Sequence, residues 1–146
     1  MQKIFDKILF LKDKYQSNIV FDTRLLSQND IFIGIGVGSK NGGHYYKEAL
    51  KKGSRLLIVN NKTINHEYII HTKNIQSFIK KFCKYLLSKY RGKVIAITGS
   101  VGKTTIKENI YHILSKNNFS VSRSYKNYNN LLGLQFSIMN INLQNK

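Results

Sequence analysis

The 146-residue chain has no proline, no tryptophan, one cysteine and only seven acidic residues. Each scarcity excludes something. The single cysteine, Cys83, cannot close an internal disulfide, which removes the stapled secreted scaffolds and fits a reducing compartment. Its neighbours Phe82, Tyr85 and Leu86 mark it as a helix-core thiol rather than a nucleophile. No apolar run is long enough to span a bilayer, and the start, Met1-Gln2-Lys3-Ile4-Phe5-Asp6, lacks the apolar stretch of a signal peptide. The expected location is the cytoplasm, with no membrane partner. Seven acids against 24 Lys and Arg give a formal charge of +17. Such a charge suits a polyanion binder. The lysines, however, are spread along the chain, and the densest groups, Lys47–Lys52 and Lys80–Lys84, fall on amphipathic helices. A solvated cationic face is the plainer reading, and no nucleic-acid partner is expected.

What is present is a globular composition. Hydrophobic residues make up 42%, enough for a core. Ile4, Phe5, Ile8, Leu9 and Leu11 have helical spacing, which predicts a helix over Ile4–Tyr15. Ile19–Phe21, Ile31–Ile33, Leu56–Val59 and Tyr68–Ile70 read as short strands. Between them, Gly34–Gly43 carries five glycines and must be a loop. Tyr45–Lys52 reads as a helix closed by Gly53. Asn74–Tyr90 has the clearest periodicity, with Ile75, Phe78, Ile79, Phe82, Tyr85, Leu86 and Tyr90 on one stripe. Val94–Ile97 then reads as a buried parallel strand, Lys103–Lys116 as a helix, Phe119–Ser122 as a strand and Leu131–Met139 as a last helix.

Between that strand and helix stands Gly99-Ser100-Val101-Gly102-Lys103-Thr104-Thr105. The strict phosphate-loop pattern, G-x-x-x-x-G-K-[ST], asks for glycine where Ile97 stands, so this is a shorter G-x-x-G-K-T-T form. The chemistry survives the change. Gly99 and Gly102 allow a tight turn that brings backbone N–H groups against phosphate oxygens. The following helix adds its positive N-terminal end. Lys103 is a point charge for the β and γ phosphates, and the Thr104 hydroxyl is a candidate Mg²⁺ ligand, with Thr105 in support. The bland alternative is a glycine turn that merely caps a helix. An apolar strand before and an amphipathic helix after are the context that favours nucleotide, so ATP and Mg²⁺ are the expected cofactors.

The short loop resembles that of the Mur ligases, ATP-dependent enzymes that build the peptide of bacterial peptidoglycan. Val94–Glu108 (VIAITGSVGKTTIKE) is similar to the segment of the D-alanyl-D-alanine-adding branch, and Asn127-Tyr128-Asn129-Asn130-Leu131-Leu132-Gly133-Leu134 to its N-x-N-N-x-x-G segment, with Gln135 where proline is usual. Phe21-Asp22-Thr23-Arg24 and Asn29–Gly34 resemble the D-[ST]-R…G-D-[IL]-F run of the family's UDP-binding domain. Gly43-His44, Ala49 and Gly53 fit its D-G-H…A…G run, with Gly42 in place of the aspartate. The resemblance implies an α/β fold: a small N-terminal UDP-binding domain (1–72), a connecting helix (73–92) and the opening βαβ of a phosphate-loop doubly wound sheet (93–146). It implies UDP-MurNAc-peptide and D-alanyl-D-alanine as substrates, joined through an acyl phosphate. Family members continue past this length with an acidic metal ligand, a modified lysine and an amine-binding domain. The expectation is therefore a piece that is inactive alone, whether a remnant, a cut sequence or a split subunit whose other domains sit on a separate chain.

Several residues keep two readings. Asp22-Thr23-Arg24 is either a turn with an Asx-type hydrogen bond or, at Thr23, a uridine contact. Asn127, Asn129 and Asn130 are either a polar loop or contacts to the UDP-linked substrate. Glu108 reads as helix support, His44 as a surface residue, and His66, His71 and His112 suggest no metal site. Two other classes stay open: a non-catalytic nucleotide-binding module, and a basic nucleic-acid binder.

Overall fold

In the computed structural model, residues 1–36, 42–60, 65–124 and 130–143 are described. The chain divides into two compact units, Met1–Phe82 and Cys83–Lys146, and the division falls inside a helix. The first unit runs α1 (Gln2–Tyr15), β1 (Ile19–Val20), a 3₁₀ turn (Thr23–Leu25), β2 (Ile31–Ile33), a second 3₁₀ turn (Gly42–Tyr45), α2 (Tyr46–Lys51), β3 (Leu56–Val59), β4 (Ile69–His71) and the start of α3 (Ile75–Lys89). Its four strands form one parallel sheet in the order β1-β2-β3-β4. Ile31 pairs with Ile19 on one side and Leu56 on the other, and Leu57 pairs with Ile69.

β2 and β3 are buried at every position. That explains their unbroken apolar sequences, since a central parallel strand is covered on both faces. On one face Phe32, Leu57, Val59 and Ile69 pack with Leu26 and Ala49, and Tyr46 and Leu50 of α2 lie against them. Further buried apolar side chains of this unit come from α1 and α3: the Phe5 ring meets Phe78 edge-on at 5.5 Å and lies 5.2 Å from Phe82. The entrance to β2 is polar but satisfied. The buried Asp30 carboxylate accepts from the Asn18 and Ser27 N–H groups, both at 2.9 Å, and the Ser54 hydroxyl donates to the Asp30 carbonyl at 2.9 Å.

The second unit holds the rest of α3, α4 (Lys103–Lys116) and α5 (Leu131–Met139). Cys83 is buried, its thiol donates to the Gln135 carbonyl at 3.7 Å, and burial pushes its pKa up to about 11. It is the core thiol that its neighbours indicated.

The α/β architecture and all five helices stand as read, with small changes at element ends: β1 stops before Phe21, and β4 is Ile69–His71. Two strand expectations fail. Neither Val94–Ile97 nor Phe119–Ser122 is a strand, so α4 forms without the two strands of the expected βαβ. A strand is defined by its ladder, and among the described residues of this unit none supplies one. Val94 and Ile95 stay 66% and 59% exposed, and α4 has no buried residue. Among the described residues no helix is long and apolar enough to cross a membrane.

Candidate functional site

The glycine loop sits at the head of α4. Gly102 is the helix N-cap, at φ 81°, a left-handed backbone that suits glycine and strains any other residue. A Cβ there would meet nothing within 4 Å, so backbone conformation and not crowding demands the glycine. The cap brings no side chain to the helix end, and the first turn of α4 holds no acidic residue. The first N–H groups of a helix have no partner within it, so this end is open to an anion. The Lys103 ammonium folds back over the loop, donating to the Gly99 carbonyl and, at 3.3 Å, to the Ser100 carbonyl. Residues Gly99–Thr105 are all exposed, Val101 to 89%. Helix end, ammonium and open glycine backbone therefore converge, an arrangement that fits phosphate.

Thr104 is the one residue of the loop read as a metal ligand. Among the described residues no three His, Cys, Asp or Glu side chains gather to hold a metal. Thr104 supplies a single hydroxyl. A Mg²⁺ at this point would take most of its oxygens from phosphate and water, which suits a metal that arrives with a nucleotide.

Thr23 lies in the first unit, in the turn that leaves the carboxyl end of β1, and is buried. The Asx-type turn read from the sequence forms: the Asp22 carboxylate accepts from the Arg24 N–H at 3.0 Å and pairs with its guanidinium at 2.6 Å. The hydrogen bonds from Arg24 hold the Asp22 pKa down at about 2. Lys52 donates to the Thr23 carbonyl at 2.7 Å, a tie that sequence spacing could not reveal. Gly34, at the carboxyl end of β2, packs against Gly43. A Cβ on Gly34 would stand 2.6 Å from the Gly43 nitrogen, so two backbone segments touch where a side chain cannot fit. Thr23 and Gly34 thus share the sheet edge where parallel α/β sheets bind their ligands.

Asn130 caps α5. Its side-chain oxygen accepts from the Gly133 N–H at 2.8 Å, which explains the three-residue spacing of the two. Asn127 and Asn129 lie outside the described residues. Arg123 was missed by sequence reasoning. It pairs with Glu108 at 3.1 Å, and its guanidinium lies 3.8 Å over the Tyr111 ring. Nothing in the local spacing joins residues 15 apart.

Comparison with known proteins follows the same lines. Residues 97–145 match the model of the Mur ligase middle domain. The chain is 35% identical over 124 residues to the UDP-N-acetylmuramoyl-tripeptide–D-alanyl-D-alanine ligase of Rickettsia prowazekii, covering 84% of this chain and 27% of that protein. The crystal structure of MurF ligase from Thermotoga maritima in complex with ADP superimposes with a TM-score of 0.70 at 31% identity, over 84% of this chain and 29% of that one. The chain belongs to the Mur ligase family. A Buchnera aphidicola ligase of the same description is 29% identical over 94% of this chain and 30% of its own length. Against these relatives the chain spans less than a third of a Mur ligase. The middle-domain match opens at Ile97, two residues before the loop, so the glycine loop lies inside family sequence rather than at a chance GxxG.

Proposed function

We propose that this chain carries the phosphate loop and the UDP-substrate unit of a Mur ligase that joins D-alanyl-D-alanine to UDP-MurNAc-tripeptide at the expense of ATP. The observation that carries the reading is Lys103, folded over an exposed glycine loop at an uncapped helix N-terminus within Mur ligase sequence. In this reading ATP supplies the phosphoryl group that activates the substrate carboxylate as an acyl phosphate. Lys103 and the N–H groups at the head of α4 hold and neutralise the polyphosphate. Thr104 adds one oxygen to the nucleotide's Mg²⁺, and Thr105 supports the turn.

The first unit takes the UDP end of the substrate. Thr23, Gly34 and the Gly42–Tyr45 turn lie at or follow the carboxyl ends of β1 and β2, which supports this. Asn127, Asn129 and Asn130 are assigned to the substrate side of the second unit, Asn130 through the amide nitrogen that its capping bond leaves over. Calorimetry with Mg-ATP on the parent and on Lys103→Ala tests the nucleotide half, and equal affinity in the two proteins would sink it. Titration with UDP-MurNAc followed by NMR tests the other half. Thr23 and Gly34 amides should move, and unmoved signals at saturating ligand would remove the assignment.

A further inference from the structure

Glu108 is the sole acidic residue between Cys83 and Lys146, in a unit rich in lysine and arginine. It lies on α4, five residues past Lys103, and it is committed on two sides. Its carboxylate stands 3.5 Å from the Lys107 ammonium and 3.1 Å from Arg123 Nε. Lys107 in turn donates to the Ser124 carbonyl at 2.9 Å, and the Arg123 guanidinium lies flat over Tyr111. The Lys107, Glu108 and Tyr111 side chains are half-buried, and Arg123, the most open of the four, keeps 34% of its side chain exposed. The segment they hold, Ser122–Ser124, starts at the last residue of Phe119–Ser122, the stretch expected to run as a strand, and none of it stands in a ladder. Lys107 and Arg123 tie it to α4 through side chains.

The geometry of α4 says where the attachment falls. Lys103 and Lys107 are one turn apart on the same helix face, about 6 Å along the axis. Lys103 is bound to the loop carbonyls and Lys107 to the Ser124 carbonyl. The helix thus grips the phosphate loop with one lysine and the returning chain with the next. A half-buried pair closed by a stacked guanidinium is better defined than an exposed surface pair, since the planar ring and the carboxylate fix arginine from two directions.

We propose that Glu108 is a positioning residue, one that fixes Lys107 and Arg123 so that the phosphate loop's helix and the Ser122–Ser124 segment move as one body when nucleotide binds. The inference rests on the nucleotide reading above and adds to it a residue that touches neither phosphate nor metal. Removing the carboxylate leaves Lys107 and Arg123 as neighbouring cations with no acid between them. The segment then loosens while the loop stays intact.

The test uses the full 146-residue chain, Mg-ATP and amide NMR. In the parent, ATP should shift the Gly99–Thr105 amides and, carried along with α4, those of Ser122–Ser124. In Glu108→Gln the loop shifts should persist with affinity within about twofold, which also shows that the variant folds, while the Ser122–Ser124 response falls severalfold. The charge-exchanged pair Glu108→Arg with Arg123→Glu should recover part of that response. Equal Ser122–Ser124 responses in parent and Glu108→Gln would overturn the proposal. Loss of the loop shifts themselves in Glu108→Gln would also overturn it, because Glu108 would then merely support the loop. No loop shifts in the parent would overturn the nucleotide reading instead, and this inference with it.

Discussion

At the scale of single residues, the site divides into groups that chemistry names in advance and groups that only packing names. Lys103 belongs to the first kind. A lysine after a glycine turn at a helix head has few other uses, and the fold shows it bent over the loop carbonyls. Lys103→Ala should weaken Mg-ATP binding about tenfold or more by calorimetry, the value of a hydrogen bond to a charged group. Cys83 is also legible, from its apolar neighbours. With its thiol pKa raised to about 11, alkylation by iodoacetamide at pH 8 should be at least about tenfold slower in the folded chain than in guanidinium. Asp22 gives a pH signature. Its folded pKa lies below the unfolded value near 4, so its contribution is present above pH 4 and fades as the pH falls through 2. Because the pair is exposed, the effect is small and shrinks with salt. Asp22→Asn should flatten the stability slope between pH 4 and 2, and an unchanged slope would show that Arg24 does not matter there. Arg123 and Lys52 belong to the second kind. Their partners, Glu108 and Thr23, lie 15 and 29 residues away, and no periodicity marks such pairs.

At the scale of elements, helices were legible and strands only where the chain supplies their neighbours. α4 and α5 form over the spans their periodicity gave, because a helix satisfies its own backbone within four residues. β2 and β3 also form as read. Ile31–Ile33 and Leu56–Val59 are apolar runs, and each finds a parallel partner in the same unit. Val94–Ile97 has the same apolar signature but no partner among the described residues, so the signature alone does not make a strand. Two substitutions test how the elements are terminated. Gly102→Ala places a Cβ in a left-handed backbone and should cost about 1–2 kcal/mol, read as reduced α4 helicity and weaker ATP binding. Asn130→Ala removes the α5 cap and should cost about 1 kcal/mol of stability, read by urea titration. Asn130→Asp keeps the acceptor and should retain most of it.

At the scale of the whole molecule, the two units differ in how much they bury, and that difference sets what the chain can do by itself. The first unit has a four-stranded sheet, two strands of it fully buried. The second leaves Val94, Ile95, Ile106, Ile113, Phe119 and Leu134 at least 48% exposed, so the helix that presents the phosphate loop rests on little core. Local opening follows burial, so hydrogen exchange should protect β2 and β3 amides far longer than those of α4. A loop that opens often binds weakly, since the apparent affinity scales with the fraction of competent loop. Phosphoryl transfer also needs carboxylate near the metal, and the one carboxylate of this unit, Glu108, is already held by Lys107 and Arg123. The purified 146-residue chain should therefore bind Mg-ATP weakly and release no phosphate when given UDP-MurNAc-tripeptide and D-alanyl-D-alanine. Turnover above background, abolished by Lys103→Ala, would refute this and would mean that the loop, Thr104 and the nucleotide's own metal suffice for the chemistry.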